Sequence, residues 1–322
     1  LQESLKQIKV FCFFFSKKKA FFFEKRKQKT FARLPDRPLV FLHIPKSSGI
    51  AVSQALLAAQ QDGRNYFGFD RAFFGGFSDF ASVPAENRAY IHLSPDSLPR
   101  GETFIRGHMA LSTLRAAYPD AQCMTVLREP TVRLLSHFVF WRGFSPAQDA
   151  AWGGWAARSG LARGTLESFL AAPEIACQID NVATRLLLWP HRLIPDDGPI
   201  DPADDAALIE AATHRLRGLD FVDVVENPAF QANLAGWLGT ATVHPRMNET
   251  EAVPAALRTR LDEELTQRAA DLLAARARLD LALWHAVLRD RAPGVDADTL
   301  RVAAVRRGTA RAALLLAGNG HF

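Results

Sequence analysis

Residues 39–57, LVFLHIPKSSGIAVSQALL, constrain this chain more than any other stretch. Leu39, Val40, Phe41 and Leu42 form a short apolar run of the kind that makes a buried parallel strand. Pro45, which has no N–H to give a ladder, ends it. Ser47, Ser48 and Gly49 make a hydroxyl-rich turn, and Ile50, Val52, Ala55, Leu56 and Ala59 then recur at helical spacing. A strand, a tight turn and a helix bring free backbone N–H groups and a positive helix end together, which makes the turn an anion site. Lys46 adds a full charge there. It is the only lysine after Lys29, every later basic residue being arginine, so a compact point charge is wanted at this position. A plain strand-to-helix turn with a solvated lysine is the simpler alternative for this stretch taken alone.

A second stretch has the same design. Gln122 to Leu127 is an apolar strand with Arg128 at its end, and Pro130 suits the first turn of a helix. Val132, Leu135, Phe138 and Val139 give that helix an apolar face. Arg128 offers a bidentate fork to phosphate oxygens and Ser136 a hydroxyl, and both reach one phosphate if the helix folds back beside the strand end. Arg133 reads as a surface or ion-paired arginine.

These two stretches carry a resemblance. HIPKSSG resembles the 5′-phosphosulfate loop of the PAPS-dependent sulfotransferases (PAPS is 3′-phosphoadenosine 5′-phosphosulfate). It is closest to the carbohydrate type, whose loop runs His-Ile-Pro-Lys-Thr-Gly-Gly-Thr-Ser. TVLREPTVRLLSHF resembles the same family's 3′-phosphate motif, a strand ending in Arg-Asp-Pro-x-x-Arg-x-x-Ser. The motifs stand in the family's order, each after a strand. DNVATRLLL at 180–188 and LDLALWHAVL at 279–288 resemble later helices of the family, so the likeness spans Leu39 to Leu288.

The resemblance implies a P-loop-like α/β fold, PAPS as the sulfuryl donor and a carbohydrate hydroxyl as acceptor. Lys46, Ser47, Ser48 and Gly49 would then hold the 5′-phosphosulfate, with Lys46 also acting in catalysis, and Arg128 and Ser136 would hold the 3′-phosphate. Arg246, in a loop HPRMNET similar to one near the nucleotide in the family, would be a further phosphate contact. His108 ends the strand-like ETFIRGHM, at the place where the family's Gly-His supplies the catalytic base. Its plainer role is to cap the next helix. Asn181 and Arg185 share a helix face, and Arg185 holds either an acidic acceptor or an internal carboxylate.

The loop departs from the family pattern at Ile50 and Ala51, where relatives carry hydroxyls. Each hydrogen bond lost to a charged group costs about 1.5–3 kcal/mol, so a catalytically degenerate nucleotide- or glycan-binding relative is the main alternative. A P-loop kinase is a lesser one, because Lys46 precedes its serines and no glycine opens the loop.

Charge narrows the partners. The chain has 322 residues and a net charge of +5. Residues 1–34 hold ten Lys/Arg against Glu3 and Glu24, a local +8 that leaves the rest at −3. A nucleic-acid binder would carry its basic surface on the domain, so no nucleic-acid partner is expected. The leader alternates Phe runs with Lys blocks. It contains no apolar stretch near the roughly 18 residues of a membrane span and no convincing signal-peptide pattern. It reads as disordered or non-native, ahead of an α/β domain at 35–292 and a helical tail at 293–322. Cys12, Cys123 and Cys177 are too few and scattered for a disulfide framework or a zinc site. No His/Asp/Glu cluster has ligand spacing, so no metal is expected, and a cytoplasmic protein fits this cysteine usage.

The expected architecture is a mostly parallel sheet with helices on both faces. Strands are expected at Ala89–Leu93, Glu102–Met109, Gln122–Leu127 and Phe221–Val225, besides Leu39–Leu42, with helices at Leu111–Tyr118, Leu208–Leu216 and Phe230–Leu238. Gly63 to Pro84 reads as a loop-rich region bordering the site. The tryptophans around Gly143–Arg163 are either sugar platforms on a lid or ordinary packing. Two helices are expected in Val253–Arg291, and an Arg-rich amphipathic helix after Asp296.

Overall fold

A computed structural model of the chain describes residues 37–59, 64–239 and 253–319. Six strands form one sheet: β1 (Leu39–Leu42), β2 (Asn65–Asp70), β3 (Ile91–His92), β4 (Phe104–His108), β5 (Gln122–Leu127) and β6 (Phe221–Val224). Their order is β3-β2-β4-β1-β5-β6, and every pairing is parallel. The longer helices are α1 (Gly49–Ala59), α2 (Leu111–Ala117), α3 (Pro130–Arg142), α4 (Val182–Leu188), α5 (Asp205–Arg217), α6 (Phe230–Leu238), α7 (Gln267–Arg291) and α8 (Ala297–Leu316).

β1 lies inside the sheet, so both of its faces need cover, and its residues alternate accordingly. Leu39 and Phe41 join Phe104, Met124, Val126 and Phe221 under Val52 and Leu56 of α1 and Phe230 and Leu234 of α6. Val40 and Leu42 join Ile105, Cys123, Val222 and Val224 on the opposite face, under α2, α4, α5 and the C-terminal half of α7. A third cluster, rich in Phe and Trp, joins β2 to α3 and α8. This is the α/β fold expected from the sequence, with helices on both faces.

The differences from expectation have local causes. The region expected to be loops contains β2, an interior strand between β3 and β4. Gly68 on β2 sits opposite Gly107 on β4, and a Cβ on Gly107 would fall 2.0 Å from the Gly68 carbonyl oxygen. The close approach requires glycine at 107 on β4, while on β2 Asn65, Gly68 and Asp70 break the apolar alternation that marks a strand. Gly143–Arg163 is packing: Trp152 and Trp155 are buried among Phe69, Phe73, Phe74 and Phe77. The two helices expected in 253–291 are very unequal: a single α-helical turn at Leu261–Glu264, preceded by a 3-10 turn at Ala255–Leu257, and then the long α7. Thr266 sets its start by accepting from the Ala269 N–H at 3.0 Å.

The Arg-rich helix α8 packs on α3. Gly308 lies against Val132, where a Cβ would come within 2.4 Å of Cγ1, and Arg301 Nε donates to Glu129 Oε1 at 3.2 Å. Among the described residues no helix is long and apolar enough to cross a membrane. The leader 1–34 and Arg246 lie outside the described residues.

Candidate anion and transfer site

The sheet order places three strand ends side by side, because β1 is flanked by β4 and β5. Their C-terminal ends deliver His108, the turn containing Lys46, and Arg128. Ligands of open parallel sheets bind at this edge.

The turn is held in an uncommon backbone shape. Lys46 (φ 66°) and Ser48 (φ 59°) both adopt left-handed conformations without being glycine, which costs roughly 1–2 kcal/mol per residue. Three bonds offset that cost: Ser47 N–H to the Ile44 carbonyl at 3.2 Å, Val52 N–H to the Ser48 carbonyl at 3.1 Å, and Arg128 Nη1 to the Lys46 carbonyl at 2.9 Å. Gly49 opens α1 with the His43 ring packed beneath it, so that a Cβ would fall 1.6 Å from His43 Nε2. No acidic residue occupies the first turn of α1, whose unpaired N–H groups therefore keep their positive field. Ser47 itself faces inward: it is 1% exposed and its Oγ has no hydrogen-bond partner.

Lys46 is half-buried, with Nζ 3.9 Å from the centre of the Phe140 ring, a cation–π contact. Burial, with the charges of Arg128 and then Arg311, brings its pKa down to about 7. Arg311 comes from α8 and was not expected here. Its signal in the sequence is only one arginine among several on an amphipathic helix, and the Gly308 contact with α3 is what selects it. Arg128 feels Glu226, which lies just past β6. Both oxygens of that carboxylate receive the Glu129 N–H, at 3.1 and 3.2 Å, and Oε2 also takes the Trp284 Nε1–H at 3.0 Å. Glu226 thus limits the positive field from one side, and it too was missed. Ser136 is half-buried on α3, and among the described residues no hydrogen bond joins it to Arg128.

His108 is buried, its ring stacked on Phe73 at 5.3 Å and edge-on to Phe67 at 5.8 Å. Nδ1 is 2.6 Å from the His43 carbonyl oxygen. A carbonyl can only accept, so Nδ1 carries the proton and, in the neutral ring, Nε2 carries the lone pair. Burial foremost, with Lys46 adding to it, lowers the pKa to about 4 against the pull of that hydrogen bond. His108 is therefore neutral at pH 7. Asp70 ties the neighbouring segment down, Oδ1 accepting from Ala72 N–H at 3.0 Å and Oδ2 from Ala110 N–H at 2.8 Å.

Arg185 holds an internal carboxylate, Asp180, at 2.8 Å, and Arg276 approaches the same group at 3.5 Å. It belongs to the scaffold. No group of metal-ligating side chains occurs among the described residues. Compared with models of known protein families the chain matches none, and no curated protein matches it.

Proposed function

We propose that the chain transfers a sulfuryl group from PAPS to a hydroxyl, on a carbohydrate acceptor. One observation carries the reading: adjacent parallel strands β4, β1 and β5 present a neutral histidine, a lysine turn at a helix N-terminus, and an arginine bonded to that turn. The sequence resemblance at HIPKSSG and TVLREPTVRLLSHF supplies the chemistry to which that order corresponds.

The cation set fits a nucleotide carrying phosphates at both ends. Lys46, Arg128 and Arg311 act on one another electrostatically, and repulsion among them falls when an anion enters. PAPS supplies an activated sulfuryl group bonded to its 5′-phosphate. Lys46 and the N–H groups at the start of α1 are suited to charge growing on the bridging oxygen as the S–O bond breaks. Arg128 and Ser136 take the 3′-phosphate, with Arg311 beside them. His108 Nε2 accepts the acceptor's hydroxyl proton while that oxygen bonds to sulfur, leaving 3′-phosphoadenosine 5′-phosphate (PAP). Nδ1 stays fixed on the His43 carbonyl, so the ring presents one nitrogen only.

A catalytically degenerate binder is the second reading, favoured by the buried Ser47 Oγ together with Ile50 and Ala51, which leave few hydroxyls for the 5′-phosphate. Incubation with radiolabelled PAPS and a panel of glycans separates the two. Label transfer that Lys46→Ala abolishes is expected. PAP binding without transfer to any hydroxyl acceptor would favour the degenerate binder.

A further inference from the structure

Helix α8 is covered on one side only. Ala304, Ala312, Leu315 and Leu316 are buried, and Gly308 lies against Val132 of α3. Val302, Arg306, Ala310 and Leu314 recur every fourth residue, so they descend the other side of the helix over about 18 Å. All four are exposed. Only three large hydrophobic side chains are exposed among the described residues, and two of them, Val302 at 69% and Leu314 at 40%, stand on this side of α8.

The charge on that side has one sign. After Asp298 the helix has no acidic residue. Of its four arginines, Arg301 pairs with Glu129 at 3.2 Å, and Arg311 acts on Lys46 and Arg128. Arg306 and Arg307 are exposed, and among the described residues neither has a hydrogen bond or an ion pair.

A partner for this face is negatively charged and partly apolar. A second copy pairing through α8 would set Arg306 and Arg307 near their own counterparts, where like charges repel. The same repulsion excludes residues 1–34 as the cover, since they hold ten Lys/Arg against two Glu. Those residues are instead a second element of the same chemistry, with eight phenylalanines among the basic blocks. An anionic bilayer holds such segments by apolar burial and charge together, and stable attachment takes two signals. A bilayer interface also needs no groove or matched register, which suits an isolated convex helix face.

We propose that the outward face of α8 binds an anionic lipid surface, with Val302 and Leu314 entering the acyl boundary and Arg306 and Arg307 meeting lipid phosphates. None of these four side chains belongs to the strand-end site, so the binding does not depend on the proposed reaction.

The test uses the full chain with vesicles of phosphatidylcholine alone and of phosphatidylcholine and phosphatidylglycerol in equal parts, separated by flotation. The chain should bind the anionic vesicles far better than the neutral ones, and salt at about 0.5 M should weaken that binding. The double variant Arg306→Gln, Arg307→Gln should lose at least about tenfold in affinity, since each basic side chain near the surface contributes about fivefold. The double variant Val302→Asn, Leu314→Asn should lose about tenfold through its apolar burial. All four positions are exposed, so both variants should melt as the wild type does, and should one fail to fold, the other keeps the test decisive. No binding of the wild-type chain, or equal binding to both vesicles, overturns the proposal. Full retention of binding in either double variant means that residues 1–34 alone hold the bilayer, which also overturns it. Binding to poly-glutamate without binding to vesicles would make the occupant an acidic protein. A mass that doubles with concentration in wild type but not in Val302→Asn, Leu314→Asn would make it a second copy. Either result overturns the lipid assignment.

Discussion

Arg128 donates from Nη1 to the backbone carbonyl of Lys46 at 2.9 Å, so the end of β5 holds the turn that follows β1. The residue receiving that bond has φ 66°, and the bond opposes its relaxation. Arg128→Ala should therefore destabilise the chain even without ligand, by on the order of 1.5–3 kcal/mol, the range for hydrogen bonds to charged groups. Urea denaturation checks this. An unchanged midpoint would show that the turn keeps its shape without Arg128.

Lys46 should take up a proton when a polyanion binds. Its pKa is about 7 in the free chain, lowered by burial, Arg128 and Arg311 in that order. A bound anion favours the ammonium form and raises that pKa. Binding near pH 8 should then be accompanied by proton uptake, and PAP affinity should fall as pH rises above about 7. Calorimetry in buffers of different ionisation enthalpy measures the uptake. Lys46→Arg should remove it, and Arg311→Ala should reduce it by letting Lys46 titrate higher. Heats that do not depend on buffer would contradict this behaviour.

His108→Ala should lower turnover by roughly 10²–10⁴, the usual cost of losing a general base, with PAP affinity hardly changed. The acid limb of the pH–rate profile should sit near 4, where burial has brought this imidazole, rather than near its ordinary value: protonation below that pH removes the Nε2 lone pair. His43→Ala should act on stability instead, because the His43 ring fills the space under Gly49. Transfer abolished by His43→Ala and untouched by His108→Ala would reverse the assignment.

What the sequence reveals depends on whether a residue's role is local. β1, β5 and the turn between β1 and α1 are legible because each is a continuous apolar run closed by Pro45 or Arg128. β2 is not, since Asn65, Gly68 and Asp70 break the apolar run of NYFGFD, and what crowds Gly68 (the Tyr66 ring and the Tyr90 carbonyl, 2.9 and 3.2 Å from where a Cβ would stand) is set by the fold. Arg311 becomes part of the site only through the packing of α8 on α3. The burial of Arg133 appears only with the fold, for in the sequence an arginine within a helix looks the same inside or out. Trp152 and Trp155 show the converse, since tryptophans in a Gly-rich stretch suit an exposed lid as well as a core until the ring contacts choose.

The most direct test of sulfuryl-donor recognition compares PAP with adenosine 5′-phosphosulfate, which lacks the 3′-phosphate, by calorimetry on wild type and Arg128→Ala. If the strand-end cations read both ends of the nucleotide, wild type should bind PAP at least about tenfold more tightly, a difference of about 1.4 kcal/mol. Arg128→Ala should lose most of that preference. Equal affinity of wild type for the two nucleotides would contradict the assignment of Arg128 to a 3′-phosphate, and with it the proposed reaction.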